Sequence, residues 1–162
     1  MEVKDSRNYI EILIESLLRK KEILNQIMKL NDTQSELISQ NEVTGDSFTD
    51  TISKKQKLIE NLNLLDSGFE KVYQRVRMEL LDNRELYKEQ ITLMQELISQ
   101  ITDYSVKIQT DEERNRRSIE ESFDTVKQDI RQSRTSVKAA SDYYKNMSKV
   151  NYIDPQFMDK KK

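Results

Sequence analysis

The run "DEERNRR" sets Asp111, Glu112 and Glu113 side by side, three carboxylates of the kind that hold a hard cation. Their adjacency argues against that chemistry, because neighbours on a helix point about 100° apart and do not converge on one ion. The chain has no histidine and no cysteine. That removes the usual zinc ligands, the thiolate nucleophile and the only side chain whose unperturbed pKa lies near neutrality. An enzyme working with carboxylates alone needs a pocket, and a thin helical assembly with 7% aromatic residues is a poor builder of one. The expectation is a protein that is not an enzyme, with no catalytic residue, no metal and no cofactor, and with "DEERNRR" as a solvated helix surface.

A second constellation is the basic row Lys127, Arg131, Arg134, Lys138, Lys145 and Lys149. Nucleic-acid binding would need it free of acids, yet Glu120, Glu121, Asp124, Asp129 and Asp142 are interleaved and no aromatic row accompanies it. With 27 basic and 29 acidic residues the net charge is −2, so the whole chain has no electrostatic reason to seek nucleic acid or acidic lipid. The row reads as a solvated face or as the rim of a helix-binding stripe. Tyr143 and Tyr144 lie at the end of that stripe, where one can join the interior while the other stays exposed as a surface residue or an interface anchor. The ending "NYIDPQFM" carries Ile153, Pro155, Phe157 and Met158; the proline stops a helix and favours extended backbone at Asp154. It is either a strap folded on its own helix or a short motif for a partner.

The elements that position these residues are helices. Two glycines and one proline in 162 residues, with 35% charged residues, leave almost none of the punctuation that sheets and tight turns require. A first helix over about residues 6–41 carries Ile10, Leu13, Leu17, Leu24, Ile27 and Ile38 at the 3/4 spacing of a bundle seam, with Lys20, Asn31 and Gln34 as polar interruptions. "NEVTGDSFTD" supplies the break, with Gly45 suited to the left-handed conformation that ends a helix. The second helix, over about 48–66, turns Phe48, Ile52, Leu58, Ile59, Leu62 and Leu65 inward and returns antiparallel to the first. Ser67 and Glu70 have capping-box spacing beside Gly68, which predicts a bend and a short third helix over 68–81. Asp82 and Glu85 repeat the spacing and mark the start of a very long fourth helix.

That helix shows a seam of Tyr87, Ile91, Met94, Ile98, Ile101, Ser105 and Ile108, which meets Glu112 and Asn115 and resumes at Ile119, Phe123, Val126, Ile130, Ser133, Val137, Ala140, Tyr144 and Met147. At 1.5 Å per residue it would be about 100 Å long, against about 50 Å for its neighbours, so a bundle covers only its first half. The predicted fold is all-α: an elongated antiparallel helical bundle or coiled coil whose long C-terminal helix projects from it or folds back on it. Its parts are a bundle over residues 1–110, a partner-binding amphipathic helix over 111–149 and an extended tail over 150–162. No run approaches the ~18 apolar residues of a membrane span, and the start has no charged leader before an apolar stretch, so a cytoplasmic protein without membrane insertion is expected.

"SKKQKLIENLNLLDSGFEKVYQRV", "LMQELISQITD" and above all the ending "YYKNMSKVNYIDPQFMDKKK" resemble the FlgN-type flagellar export chaperones, in particular clostridial-type members. The resemblance implies a cytoplasmic chaperone of the flagellar type III export system. It would hold the C-terminal helical region of hook-filament junction proteins and deliver them to the export gate and its ATPase complex. Carried onto this chain, the cargo-binding face is Ile119, Phe123, Val126, Ile130, Val137, Ala140, Tyr144 and Met147, and a gate-docking tyrosine would be Tyr143, Tyr144 or Tyr152. Filament cap protein or flagellin are other cargoes of small helical chaperones. The competing classes are an adaptor coiled coil that self-associates as a homodimer through the same stripe, and a helical nucleic-acid binder.

Overall fold

Polar residues set the registers of the bundle. Lys20 donates to Asp66 at 2.9 Å and Gln34 donates to Thr51 at 3.0 Å, so the second helix runs antiparallel to the first. Lys21 donates to Gln100 at 2.7 Å and Asn115 donates to the Asn31 carbonyl at 3.1 Å, so the third helix runs parallel to the first. The computed structural model describes residues 3–125, together with residues 138, 141–143 and 145. It contains α1 (Val3–Ser39), α2 (Asp46–Asp82) and α3 (Lys88–Thr125), an up-down-up arrangement of helices about 55 Å long at 1.5 Å per residue. The chain is an all-α helical bundle. The central helix is α1, which packs along both others, while α2 and α3 approach one another much less closely.

The seam of α1 is buried at every predicted apolar position from Ile10 to Ile38, and its three polar interruptions Lys20, Asn31 and Gln34 are buried with them. From α2 the core receives Phe48, Ile52, Ile59, Leu62, Val76 and Leu80, with Leu58 partly buried against them. From α3 it receives Met94, Leu97, Ile101, Ile108 and Ile119, and Tyr87 joins them from the turn just before α3.

Three boundaries differ from those the sequence predicts. Helix α2 is one continuous element of 37 residues, not two helices divided at Gly68. The capping-box spacing is unused because the Glu70 carboxylate accepts from Gln74 one turn ahead at 2.8 Å and does not reach back to Ser67. The turn after α1 is made by Asn41 and not by Gly45. Asn41 holds φ at 59°, its N–H donates to Ile38, and the Glu42 N–H donates to Leu37, which together satisfy the last carbonyls of α1. Gly45 instead has extended backbone and is the N-cap of α2. Finally, α3 starts at Lys88 because Asn83 caps α2, its N–H and its side-chain amide both donating to the Glu79 carbonyl, so Asp82 ends one helix instead of opening the next.

The predicted bundle boundary at residue 110 is also displaced. Asp111, Glu112, Asn115 and Ile119 are buried, and Phe123 packs on the core. Because α1 and α3 are parallel, with Asn31 near the end of α1 accepting from Asn115, α1 packs along α3 past residue 110.

Candidate functional site

Toward the end of the bundle where α1 passes into α2, the apolar core is replaced by a polar layer. Gln34 comes from α1, Thr51 and Lys55 from α2, and Glu112 from α3, all of them buried. Gln34 donates through its amide to Thr51, whose hydroxyl donates on to the Phe48 carbonyl at 2.6 Å. The Lys55 ammonium donates to Gln34 Oε1 at 2.8 Å and to Glu112 Oε1. One turn further, Asn115 binds the backbone of Asn31.

A fourth segment reaches this layer. Tyr143 is fully buried; its hydroxyl donates to Glu112 Oε1 at 3.0 Å, and the Lys55 Nζ stands 4.2 Å from its ring centroid. Attraction between a cation and an aromatic face strengthens when both are removed from water. Burial pushes the Lys55 ammonium down from its ordinary value to about 8, against the opposing pull of Glu112 and, more weakly, Asp111. An amine at that value has the basicity of a general base or a nucleophile, but the Lys55 side chain is wholly shielded from solvent in this conformation. What the layer does chemically is to join α1, α2, α3 and Tyr143 through directional, charge-assisted contacts.

The run "DEERNRR" is divided by the helix. Its outer half is the solvated surface expected: Glu113 takes Arg116 at 2.5 and 3.0 Å and Arg117 at 3.2 Å, and Arg116 continues to Glu120 at 2.6 Å. The guanidinium of Arg116, with Arg117 behind it, holds the Glu113 carboxyl down at about 2. Its inner half, Asp111, Glu112 and Asn115, is interior, which corrects the reading of the whole run as surface. Asp111 is held by Lys107 at 2.9 Å and Arg114 at 3.1 Å. Glu112 faces an ammonium and not a cation site, and among the described residues no group of three or more metal-ligating side chains assembles.

Of the expected cargo-binding face, Ile119 is 4% exposed and Phe123 partly buried, so the stripe begins inside this chain's own core instead of standing without a partner. Val126, Ile130, Val137, Ala140, Tyr144 and Met147 lie outside the described residues, as do Tyr152 and the tail residues Ile153, Pro155, Phe157 and Met158. Of the three docking candidates, Tyr143 occupies the interior, which removes it from the surface in this conformation. In the basic row, Lys138 and Lys145 are exposed.

Lys55 is the residue that sequence reasoning missed, whereas Tyr143 was singled out without being distinguished from Tyr144. The seam of α2 steps from Phe48 to Ile52 to Ile59 to Leu62, and Lys55 occupies the vacant position between Ile52 and Ile59. That signal was available, since Lys20, Asn31 and Gln34 interrupt α1 in the same way. Comparisons with protein-family models, with curated proteins and with solved structures give no match for this chain. Among the described residues no helix is long and apolar enough to cross a membrane.

Proposed function

We propose that this protein is a non-catalytic helix-binding chaperone of the flagellar export type. In this reading it works in the cytoplasm, shields the C-terminal helical region of hook-filament junction proteins, and hands them to the export gate and its ATPase complex. The observation that carries the helix-binding part is the packing of Ile119 and Phe123: the seam that continues in sequence as Val126, Ile130, Val137, Ala140, Tyr144 and Met147 opens as a true helix-packing face. Such a face suits an amphipathic helix of a partner, read through anchors three and four residues apart. Small residues along it, Ser133, Ala139, Ala140 and Ser141, favour reversible occupation over permanent burial. Covering about 500 to 800 Å² on each partner at ~25 cal/mol per Å² is strongly favourable in gross terms, and ordering costs offset much of it. The flagellar identity of the cargo is supported by the sequence resemblance.

Calorimetry with C-terminal peptides of flagellar junction, cap and filament proteins tests the reading. One peptide should bind at micromolar Kd or tighter, and Val126→Asp combined with Ile130→Asp should abolish binding while the core of α1, α2 and α3 stays folded. Absence of binding across the panel, with a concentration-dependent dimer in ultracentrifugation that the same substitutions disrupt, would assign the stripe to self-association instead.

A further inference from the structure

Thr125 lies thirteen residues beyond Glu112 on α3, about 20 Å along the helix axis, yet Tyr143 touches Glu112. The chain therefore returns to the polar layer, where Tyr143 meets Lys55 and Glu112. We infer that the polar layer is a socket selective for a phenol, occupied by the chain's own Tyr143, and that this contact locks the C-terminal segment onto the bundle. The inference stands whichever partner the segment serves.

Three features make the selectivity. The Lys55 ammonium presents a cation to the ring face, which an aliphatic side chain cannot answer. Glu112 presents a carboxylate oxygen to the hydroxyl, which phenylalanine cannot answer and which would leave a buried acceptor short of a donor. The arrangement is also built without the occupant: Gln34 holds Lys55 from α1, and the Lys55–Glu112 ion pair spans α2 and α3 where those helices do not pack closely. Glu112 carries one more sign of a binding position, since its Oε2 is buried with no hydrogen-bond partner among the described residues. A leucine seam would accept any apolar side chain, whereas a charged socket favours one that offers both a ring face and a hydroxyl.

The test uses the full chain. Tyr143→Ala should leave a phenol-shaped vacancy, so that p-cresol at millimolar concentration raises the Tm of the variant by a few degrees and leaves the wild type unmoved. Toluene, which fills the same volume without a hydroxyl, should do markedly less. In hydrogen exchange, peptides spanning residues 138–145 should lose protection by about tenfold or more in the variant, while peptides within α1 and α3 keep theirs. Equal stabilisation by toluene and p-cresol, or none by either, overturns the phenol selectivity. Should Tyr143→Ala fail to fold, Lys55→Met combined with Glu112→Leu dismantles the socket with its volume filled and Tyr143 intact. Protection over 138–145 must then fall, and unchanged protection there overturns the lock.

Discussion

A charge in a core costs stability unless something answers it, and Lys55 is answered by Glu112, Gln34 and the face of Tyr143. Removing one member of such a pair strands the other. Lys55→Met is therefore expected to destabilise the chain by ~3 to 5 kcal/mol in urea denaturation, while Lys55→Met with Glu112→Leu recovers most of that loss, because the pair is not itself a large source of stability. The titration of Lys55 has a direction that can be checked as well. In the unfolded chain the amine keeps its proton to its ordinary value of 10.5, whereas in the folded chain burial releases it at about 8. Between those values the unfolded state binds more protons, so this residue's contribution makes the protein more stable as pH rises from about 8 to 10.5. Denaturation curves across that window should show the trend in the wild type and lose it in Lys55→Met. Legibility at this scale divides by register. Asn31, Gln34, Glu112 and Asn115 stand on recognisable seams and are buried as those seams require. Tyr143 could not be separated from Tyr144, because adjacent positions on a helix point about 100° apart and the spacing alone does not say that Tyr143 meets Lys55 and Glu112.

Elements are legible where apolar periodicity runs on and ambiguous where single polar residues imitate caps. Gly68 shows why: Ser67 and Glu70 have the spacing of a helix start, but Leu62 before them and Phe69, Val72, Tyr73 and Val76 after them keep one face on the bundle. Tertiary packing therefore carries the helix through a glycine that would favour a break. Phe69 and Tyr73 stack across that turn with centroids 6.4 Å apart. A Cβ at Gly68 would meet no atom within 4 Å beyond its own helix. Gly68→Ala is accordingly expected to stabilise the protein by ~0.5 to 1 kcal/mol through backbone entropy, read as a higher urea midpoint at unchanged slope. Asn41 is the opposite case, because its φ of 59° is tolerable for asparagine or glycine and strained for a branched residue. Asn41→Val should destabilise the protein by ~1 kcal/mol or more, read as a lower urea midpoint, and fray the end of α1, whereas Asn41→Gly should be close to neutral.

At the scale of the whole molecule, the extent of the bundle depends on where the last helix begins and how it lies against α1. A bundle closed at residue 110 leaves out Asp111, Glu112, Asn115 and Ile119, all of which are buried. With α3 beginning at Lys88 and lying parallel to α1, the shared core continues past residue 110 to Ile119, with Phe123 packed on it. The three helices share a core from Ile10 to Ile119, to which the C-terminal segment adds Tyr143. A chain comprising residues 1–125 is therefore expected to fold as a helical three-helix unit with a single cooperative thermal transition. It should be less stable than the full chain, since the Lys55–Glu112 pair loses the phenol that covers it. Circular dichroism melts of the two chains decide the matter. A truncated chain without cooperative unfolding would make the C-terminal segment an integral fourth element of the fold. A cooperative but weakened transition would make it a removable one, as a segment that exchanges its own bundle for a partner must be.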